Sequence, residues 1–391
     1  MKDLNIPMLL ESIAIVVVGY NRLPGLKRIL SSVNDAFYPE EVNVPLVISI
    51  DASGNEDVYD YAQTFEWLHG DKYVNIEETR LGLKAHLFQC GDLSRFFKAV
   101  VILEDDLYVS RYFYNYVART VEAYGDNPNI AQISLYKNEC NGYAGLPFEP
   151  MQTGSDVYLM QDVSTWGQIF TRQMWDGFVS WRDSHTEEDI QNVDMTSHIK
   201  GWARAWSKYY NAYVVATNKY IVYPHIPVST NFNDAGEHGS GNDSVFQVNL
   251  LQGKLDYSLP PFEDMVRYDT YFNNEATYKW LGVRKSELLL DYYGFHNDYR
   301  GQKYILSTRV LPNKIIRSFA LSMRPIEANI KEDISGKGLF LYEANTEQKS
   351  ISGTYNSLVP KYFLKSFNIR IIWKWVADYY MNAIKRKLFK K

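Results

Sequence analysis

Three consecutive carboxylates, Glu104-Asp105-Asp106, follow the apolar run Ala99-Val-Val-Ile-Leu103. Three negative charges side by side repel one another unless a cation or hydrogen bonds offset them, so the triplet suits a hard divalent ion such as Mg2+ or Mn2+. Such an ion needs only one or two protein carboxylates when phosphate oxygens of a substrate fill its other positions. The same acids would also suit the positive end of a helix, and the pattern from Leu107 to Ala123 reads as helical. Arg22 follows a second apolar run, Ile13–Val18; its planar fork can grip phosphate oxygens or sit in solvent. Asp51 ends a third run, Pro45-Leu-Val-Ile-Ser-Ile50, where it can accept bonds from a base ring N–H or ribose hydroxyls, or form a turn before Ser53-Gly54.

The three runs are short, continuous and rich in β-branched residues, which predicts buried strands, and a helix is expected from Pro24 to Val33. Strands alternating with helical patterns imply an α/β fold with a mainly parallel central sheet flanked by helices. In open sheets of that kind ligands sit beyond the carboxyl ends of the strands, where all three runs end in polar residues. This domain is expected to span 1–260. A loop rich in Gly, Asn and Asp, Asn231–Gly241, could cover the site. The strand-helix rhythm fades after that, leaving 261–354 as a C-terminal accessory region of unassigned role. Residues 355–391 form a basic amphipathic helix or tail: from Lys361 onward the chain carries nine basic residues against the single acid Asp378, with Ile372, Val376, Tyr379 and Ala383 at helical spacing. On an anionic leaflet each basic residue adds about 1 kcal/mol, which favours attachment to the inner membrane surface through 361–391; a solvated tail or a helix docked on its own domain would carry the same pattern.

Composition removes several classes. With 41 Lys+Arg against 46 Asp+Glu the net charge is −5, so no global basic field favours nucleic acid. Hydrophobic residues make up 46% and charged residues 22%, which is ordinary globular usage and excludes wholesale disorder. Aromatic residues reach 15%, including 31 Tyr, which fits either rings presented to flat ligands or a Tyr-rich core. Only Cys90 and Cys140 occur, too few for a disulfide framework or a zinc quartet. Residues 1–12 lack the basic start and long apolar run of a signal peptide, and no segment has the uncharged apolar length of a membrane span, so a cytoplasmic chain is expected.

The series Val17-Val-Gly-Tyr-Asn-Arg22, Val47-Ile-Ser-Ile-Asp51 and Val100-Val-Ile-Leu-Glu-Asp-Asp106, followed by Tyr112-Phe113 and Tyr116, resembles the GT-A-fold glycosyltransferases. Within them it looks most like the N-acetylglucosaminyltransferase I family of animals and its bacterial relatives, over roughly residues 13 to 250. The resemblance implies a Rossmann-like sheet and an inverting transfer of sugar from a nucleotide diphosphate donor, UDP-linked, to a glycan acceptor, with Mn2+ or Mg2+ as cofactor. By that resemblance Arg22 holds the diphosphate, Asp51 the uracil and Asp106 the metal, while Glu104 and Asp105 face the ribose and sugar. Arg80-Leu-Gly-Leu-Lys84 matches the segment that lines the nucleotide pocket, Trp166-Gly167 the aromatic-Gly segment below the acceptor, and Val222-Tyr-Pro224 to His238 the closing loop, with His238 near the diphosphate or metal.

Inverting transfer needs a base that takes the proton of the acceptor hydroxyl. In the resembled family this is an Asp shortly before a Trp; here Lys200-Gly201-Trp202 occupies the matching place. Asp194, the nearest upstream acid, is the first candidate for the catalytic residue, with Asp189, Asp162 and Asp234 as alternatives. The sequence reading is therefore a metal-dependent glycosyltransferase, hexosyl- or N-acetylhexosaminyl-, of bacterial surface polysaccharide synthesis, acting on a lipid-linked glycan as a peripheral protein at the inner membrane face. Two alternatives remain: a nucleotidyltransferase that makes a nucleotide sugar, although Gly19-Tyr-Asn-Arg-Leu-Pro-Gly25 is sparse in Gly for that class, and a catalytically inactive sugar- or nucleotide-binding module on the same fold.

Overall fold

The computed structural model describes residues 6–203, 205–232, 234, 246–296, 299, 301–347, 356–364 and 368–388. The chain divides into two compact units, residues 1–143 with 148–276, and residues 144–147 with 277–391.

The first unit opens with β1 (Leu9–Gly19), α1 (Leu23–Asn34), β2 (Leu46–Ile50), α2 (Glu56–Thr64), β3 (Lys72–Ile76), α3 (Leu83–Gly91), β4 (Phe97–Glu104) and β5 (Leu107–Val109). It continues through α4 (Phe113–Tyr124), β6 (Ile130–Ser134) and the short strand β7 (Cys140–Asn141); β8 (Leu146–Pro147) belongs to the second unit, and β9 (Val157–Met160) and β10 (Gln168–Thr171) belong to the first. Helices α5 (Arg172–Asp183), α6 (Glu187–Asn192), α7 (Ser197–Lys200) and α8 (Trp206–Ala216) precede β11 (Tyr220–Pro224), β12 (Ser229–Asn231) and β13 (Arg267–Tyr268). Nine of these strands form one sheet in the order β13-β9-β11-β6-β10-β4-β1-β2-β3. The pairs β1/β2, β2/β3, β1/β4, β6/β11 and β9/β13 are parallel, and β4/β10, β6/β10 and β9/β11 are antiparallel. The fold is thus the expected α/β class with a mainly parallel central sheet flanked by helices.

The physical reasons are local. Residues 13–18 of β1 are buried throughout, as a central parallel strand covered on both faces requires. Helix α1 buries Leu26, Ile29, Leu30 and Val33 at i, i+3, i+4 and i+7, each contributing roughly 1.5–3 kcal/mol of transfer free energy. Pro24 lies in its first turn, where a missing N–H costs nothing. The helix expected from Leu107 is a correction: Leu107–Val109 is β5, paired antiparallel with β12, and α4 begins only at Phe113. Glu104–Asp106 therefore does not sit at a helix N-terminus.

The second unit starts with α9 (Ala276–Leu281), most of which belongs to it, followed by β14 (Leu288–Asp291), β15 (Tyr304–Ser307), β16 (Asn313–Phe319), α10 (Ala328–Lys331), β17 (Leu339–Glu347), α11 (Leu358–Phe363) and α12 (Ile369–Leu388). Four of its strands form a sheet in the order β14-β15-β17-β16, and Leu290, Tyr292, Leu306, Leu341, Tyr362 and Phe363 are part of the unit's core. The first unit runs past residue 260, to Ala276, because β13 completes its sheet. Residue 354 is no boundary either, since Tyr362 and Phe363 of α11 pack into the core of the small sheet. Among the described residues no helix is long and apolar enough to cross a membrane.

Candidate functional site

The parallel register sets the site. Val18 of β1 lies opposite Glu104 of β4, Gly19 lies opposite Ile50 of β2, and the Asp51 N–H donates to the Gly19 carbonyl at 3.0 Å. The carboxyl ends of three adjacent strands consequently deliver Arg22, Asp51 and Glu104–Asp106 to one edge. Gly25 lets α1 approach that edge closely, because a Cβ there would stand 2.5 Å from the Asp105 carbonyl oxygen.

The acids are held in distinct ways. Arg22 Nη2 donates to Asp105 Oδ1 in a short ion pair and lies 3.7 Å from Asp106 Oδ2. Asp106 also accepts a bond from the Asn231 side chain, and its carbonyl accepts from the Phe232 N–H at 2.8 Å. Its Oδ1 is buried and has no hydrogen-bond partner among the described residues. Burial, together with the charges of Asp106 and Asp105, holds the Glu104 carboxyl well above the usual carboxylate range. Burial raises Asp105 and Asp106 too, with Arg22 opposing the shift in both. A cluster in which all three carboxyls are pushed toward the neutral form is one that gains from an added cation.

Asp51 is engaged with its own chain. Oδ1 accepts from the N–H of Ala52 (2.9 Å) and of Leu81 (2.8 Å), and Oδ2 from the N–H of Gly82 (2.9 Å). These bonds tie the Arg80–Lys84 segment to the end of β2. Arg80 packs its guanidinium over the Tyr20 ring at 4.8 Å, which brings it to the same edge, and Lys84 lies over the Tyr209 ring at 3.7 Å. Trp166 and Gly167 immediately precede β10, whose first residue Gln168 lies opposite Ile102 of β4, so they too reach the carboxyl edge. Trp166 packs against Tyr136 and Phe246, each at 4.7 Å between ring centroids, and its carbonyl accepts from Ser229 Oγ at 2.6 Å. Gly167 has φ +96°, and a Cβ there would meet Leu135 Cβ at 2.9 Å, so the bend needs glycine.

The candidate bases separate clearly. Asp194 lies between α6 and α7, exposed, and accepts from the Tyr271 hydroxyl at 2.6 Å; the hydrogen bonds and ion pairs among the described residues do not link it to the acid cluster. Asp189 closes a capping box with Thr186 at the start of α6, and those bonds hold its carboxyl below the ordinary range, which makes it a helix cap rather than a base. Asp162 is buried, accepts from the Tyr143 hydroxyl (2.6 Å) and Asn138 Nδ2 (3.4 Å), and is pushed up to about 7 by burial. Asp234 pairs with Arg28 through both carboxylate oxygens, the Arg28 Nη1 bond measuring 3.2 Å. His238 lies outside the described residues.

Arg28 is the site residue that the sequence reading missed. Its guanidinium donates to the Asp105 carbonyl at 3.3 Å as well as to Asp234, and stacks over the Phe232 ring at 4.1 Å. The available signal was its place on α1, six residues after Arg22; Asp234, 206 residues away, could not be paired with it from spacing.

No family model matches the chain, and no curated protein matches it. Solved structures that resemble it include TarS 1-349 of S. aureus in complex with UDP-GlcNAc, at 14% identity and a TM-score of 0.35, covering 58% of this chain and 60% of that one. The mannosyltransferase PcManGT from Pyrobaculum calidifontis in complex with GDP-Man and Mn2+ gives 14% and 0.33, covering 57% of this chain and 60% of that one. GalNAc-T7 with UDP, GalNAc and Mn2+ gives 14% and 0.36, covering 56% and 43%. The likeness thus spans about 60% of the TarS fragment's length. At these scores it supports no functional conclusion, and the chemistry of the site is read from this chain's own residues.

Proposed function

We propose that the chain is a metal-dependent, inverting glycosyltransferase of the GT-A kind its sequence resembles, closest to the N-acetylglucosaminyltransferase I family, moving a hexosyl or N-acetylhexosaminyl group from a UDP-linked donor to a glycan hydroxyl. The supporting observation is Asp106: a buried carboxylate oxygen without a partner among the described residues, beside Arg22, at the carboxyl edge of parallel strands. Among the described residues no group of three or more His, Cys, Asp or Glu could hold a metal by itself. The ion that fits takes one carboxylate and completes its shell with substrate oxygens and water, as Mn2+ and Mg2+ do. Asp106 would hold it, with His238 as a proposed second ligand. Bound there, it would offset the charge that develops on the leaving diphosphate.

The chain's own groups do the rest. Arg22 exchanges its carboxylate partners for diphosphate oxygens when the donor enters, and its fork matches them as well as it matches Asp105. Glu104 and Asp105 face the ribose and sugar. Asp51 is proposed to serve the uracil while anchoring the Arg80–Lys84 wall of the pocket through Leu81 and Gly82. Trp166 offers an apolar ring to the acceptor, and Gly167 permits its approach. Asp194, exposed and bonded by Tyr271, removes the proton from the acceptor hydroxyl. Asp162 is the second candidate because a carboxyl pushed up to about 7 matches a base working near neutrality. We place the reaction on the cytosolic side in bacterial surface-polysaccharide synthesis, on a lipid-linked acceptor, a reading supported by the basic C-terminal segment.

The test is UDP release from a panel of UDP-sugars with oligosaccharide acceptors, with and without Mn2+. Metal-dependent release that rises with acceptor and is lost in Asp106→Ala supports the proposal. Pyrophosphate production from a nucleoside triphosphate and a sugar 1-phosphate would replace it with the nucleotidyltransferase reading, and donor binding without turnover by any acceptor would leave an inactive binding module.

A further inference from the structure

Helix α12 runs 20 residues, about 30 Å, and carries an apolar stripe and a charged stripe, the latter interrupted by the exposed Met381. Trp373, Val376, Tyr380 and Ile384 recur at i, i+3, i+7 and i+11, so they share one side of the helix, and they are 69, 38, 62 and 52% exposed. Tyr379, 71% exposed, borders that side next to Val376, whereas Trp375, 64% exposed, lies about 160° around the helix from Trp373. Arg370, Lys374, Asp378 and Lys385 recur at i, i+4, i+8 and i+15 on another side, roughly 120° around the helix at about 100° per residue. Contiguous Trp, Tyr and Ile side chains left open to water mark an interaction face.

We propose that α12 docks in the plane of an anionic lipid surface, its Trp373/Tyr380/Ile384 stripe entering the headgroup–acyl boundary and its lysines reaching back to lipid phosphates. Three observations select this occupant. Trp and Tyr have the amphipathic rings that favour membrane–water interfaces. The segment from Lys361 carries nine basic residues and one acid in a chain of net charge −5, so the basic charge is concentrated where the apolar stripe is. No helix among the described residues is long and apolar enough to span, which fits a helix lying on the surface. Two copies of α12 packed on each other would instead bring like charges together, which disfavours self-association as the cover. This inference is independent of the sugar-transfer reading, because the readout below needs no nucleotide.

The experiment is flotation of the full-length chain with vesicles of phosphatidylcholine alone and of phosphatidylcholine with about one-third phosphatidylglycerol. The protein is expected to float with the anionic vesicles only and to be released by high salt. Lys374→Gln with Lys385→Gln is expected to lower the partition coefficient about five-fold per residue, roughly thirty-fold together. The triple change Trp373→Ser, Tyr380→Ser and Ile384→Ser is expected to abolish flotation while leaving the thermal midpoint unchanged, since all three side chains are exposed. Failure of the folded wild-type chain to float with anionic vesicles would overturn the proposal. So would flotation that both variants preserve, or a concentration-dependent dimer that the triple variant disrupts in a chain with no affinity for vesicles.

Discussion

Replacing Asp162 with Asn probes a buried carboxyl whose titration burial moves up toward neutrality. The side chain's residue is 6% exposed, and its donors are the Tyr143 hydroxyl at 2.6 Å and Asn138 Nδ2 at 3.4 Å. Burial outweighs both donors and pushes the carboxyl up to about 7. An unfolded Asp titrates near ~3.9, so between the two values the folded protein binds more protons than the unfolded one. The group's contribution to stability is therefore full below about pH 4 and is lost as pH rises through about 7. At about 1.36 kcal/mol per unit of separation, the raised titration of Asp162 destabilises the fold by about 4 kcal/mol at pH 8 and about 1.5 kcal/mol at pH 5, relative to a carboxyl protonated in both states. Asn keeps the shape, and its carbonyl can accept from Tyr143, but it does not titrate. Urea unfolding of both proteins is expected to shift by about 2.5 kcal/mol in favour of Asp162→Asn between pH 5 and pH 8, all other titrations cancelling in the comparison. A stability difference that is the same at both pH values to within about 0.5 kcal/mol would refute the reasoning.

Three further outcomes are expected. Asp51→Ala removes the acceptors of the Leu81 and Gly82 N–H groups; stability falls by about 1–3 kcal/mol, and hydrogen exchange at those two amides accelerates. Exchange that stays slow would mean another group holds the loop. Gly25→Ala forces α1 away from the Asp105 carbonyl, costing about 1–3 kcal/mol by thermal or urea unfolding and weakening diphosphate binding by displacing Arg22; an unchanged affinity would separate α1 from the site. Asp194→Asn lowers sugar transfer about 10²–10⁴-fold while donor affinity measured by titration stays the same, and full residual turnover would move the role of base to Asp162.

The site's frame was readable because central parallel strands bury both faces. Ile13–Val18, Leu46–Ile50 and Ala99–Leu103 are continuous apolar runs for that reason, and each run ends where the sheet meets solvent. Arg22, Asp51 and Glu104–Asp106 therefore gather at one edge without any knowledge of side-chain contacts. What Asp51 touches was not readable: backbone donors from Leu81 and Gly82 take part of its acceptor capacity, and backbone groups leave no trace in residue identity. Leu107-Tyr-Val109 was misread because three residues are too few to distinguish a strand from the first turn of α4. Arg28 and Asp234 meet across 206 residues through folding alone. The small sheet was opaque for another reason. Residues 313–317 of β16 carry no buried position, so neither strand alternation nor a core run is visible in them. Part of the abundant Tyr is structural, since Tyr116, Tyr136, Tyr158, Tyr210, Tyr223 and Tyr268 are among the largest fully buried side chains.

In the proposed reaction the carboxyl edge around Asp106 and Arg22 binds a nucleoside diphosphate together with a divalent ion. Isothermal titration of the purified chain with UDP, GDP and CDP, with and without Mn2+, beside Asp106→Ala, tests it most directly. Saturable binding of UDP that requires the metal and is lost in the variant is the expected outcome. Absence of binding by all three diphosphates, or UDP binding that is indifferent to both Mn2+ and Asp106, would contradict it.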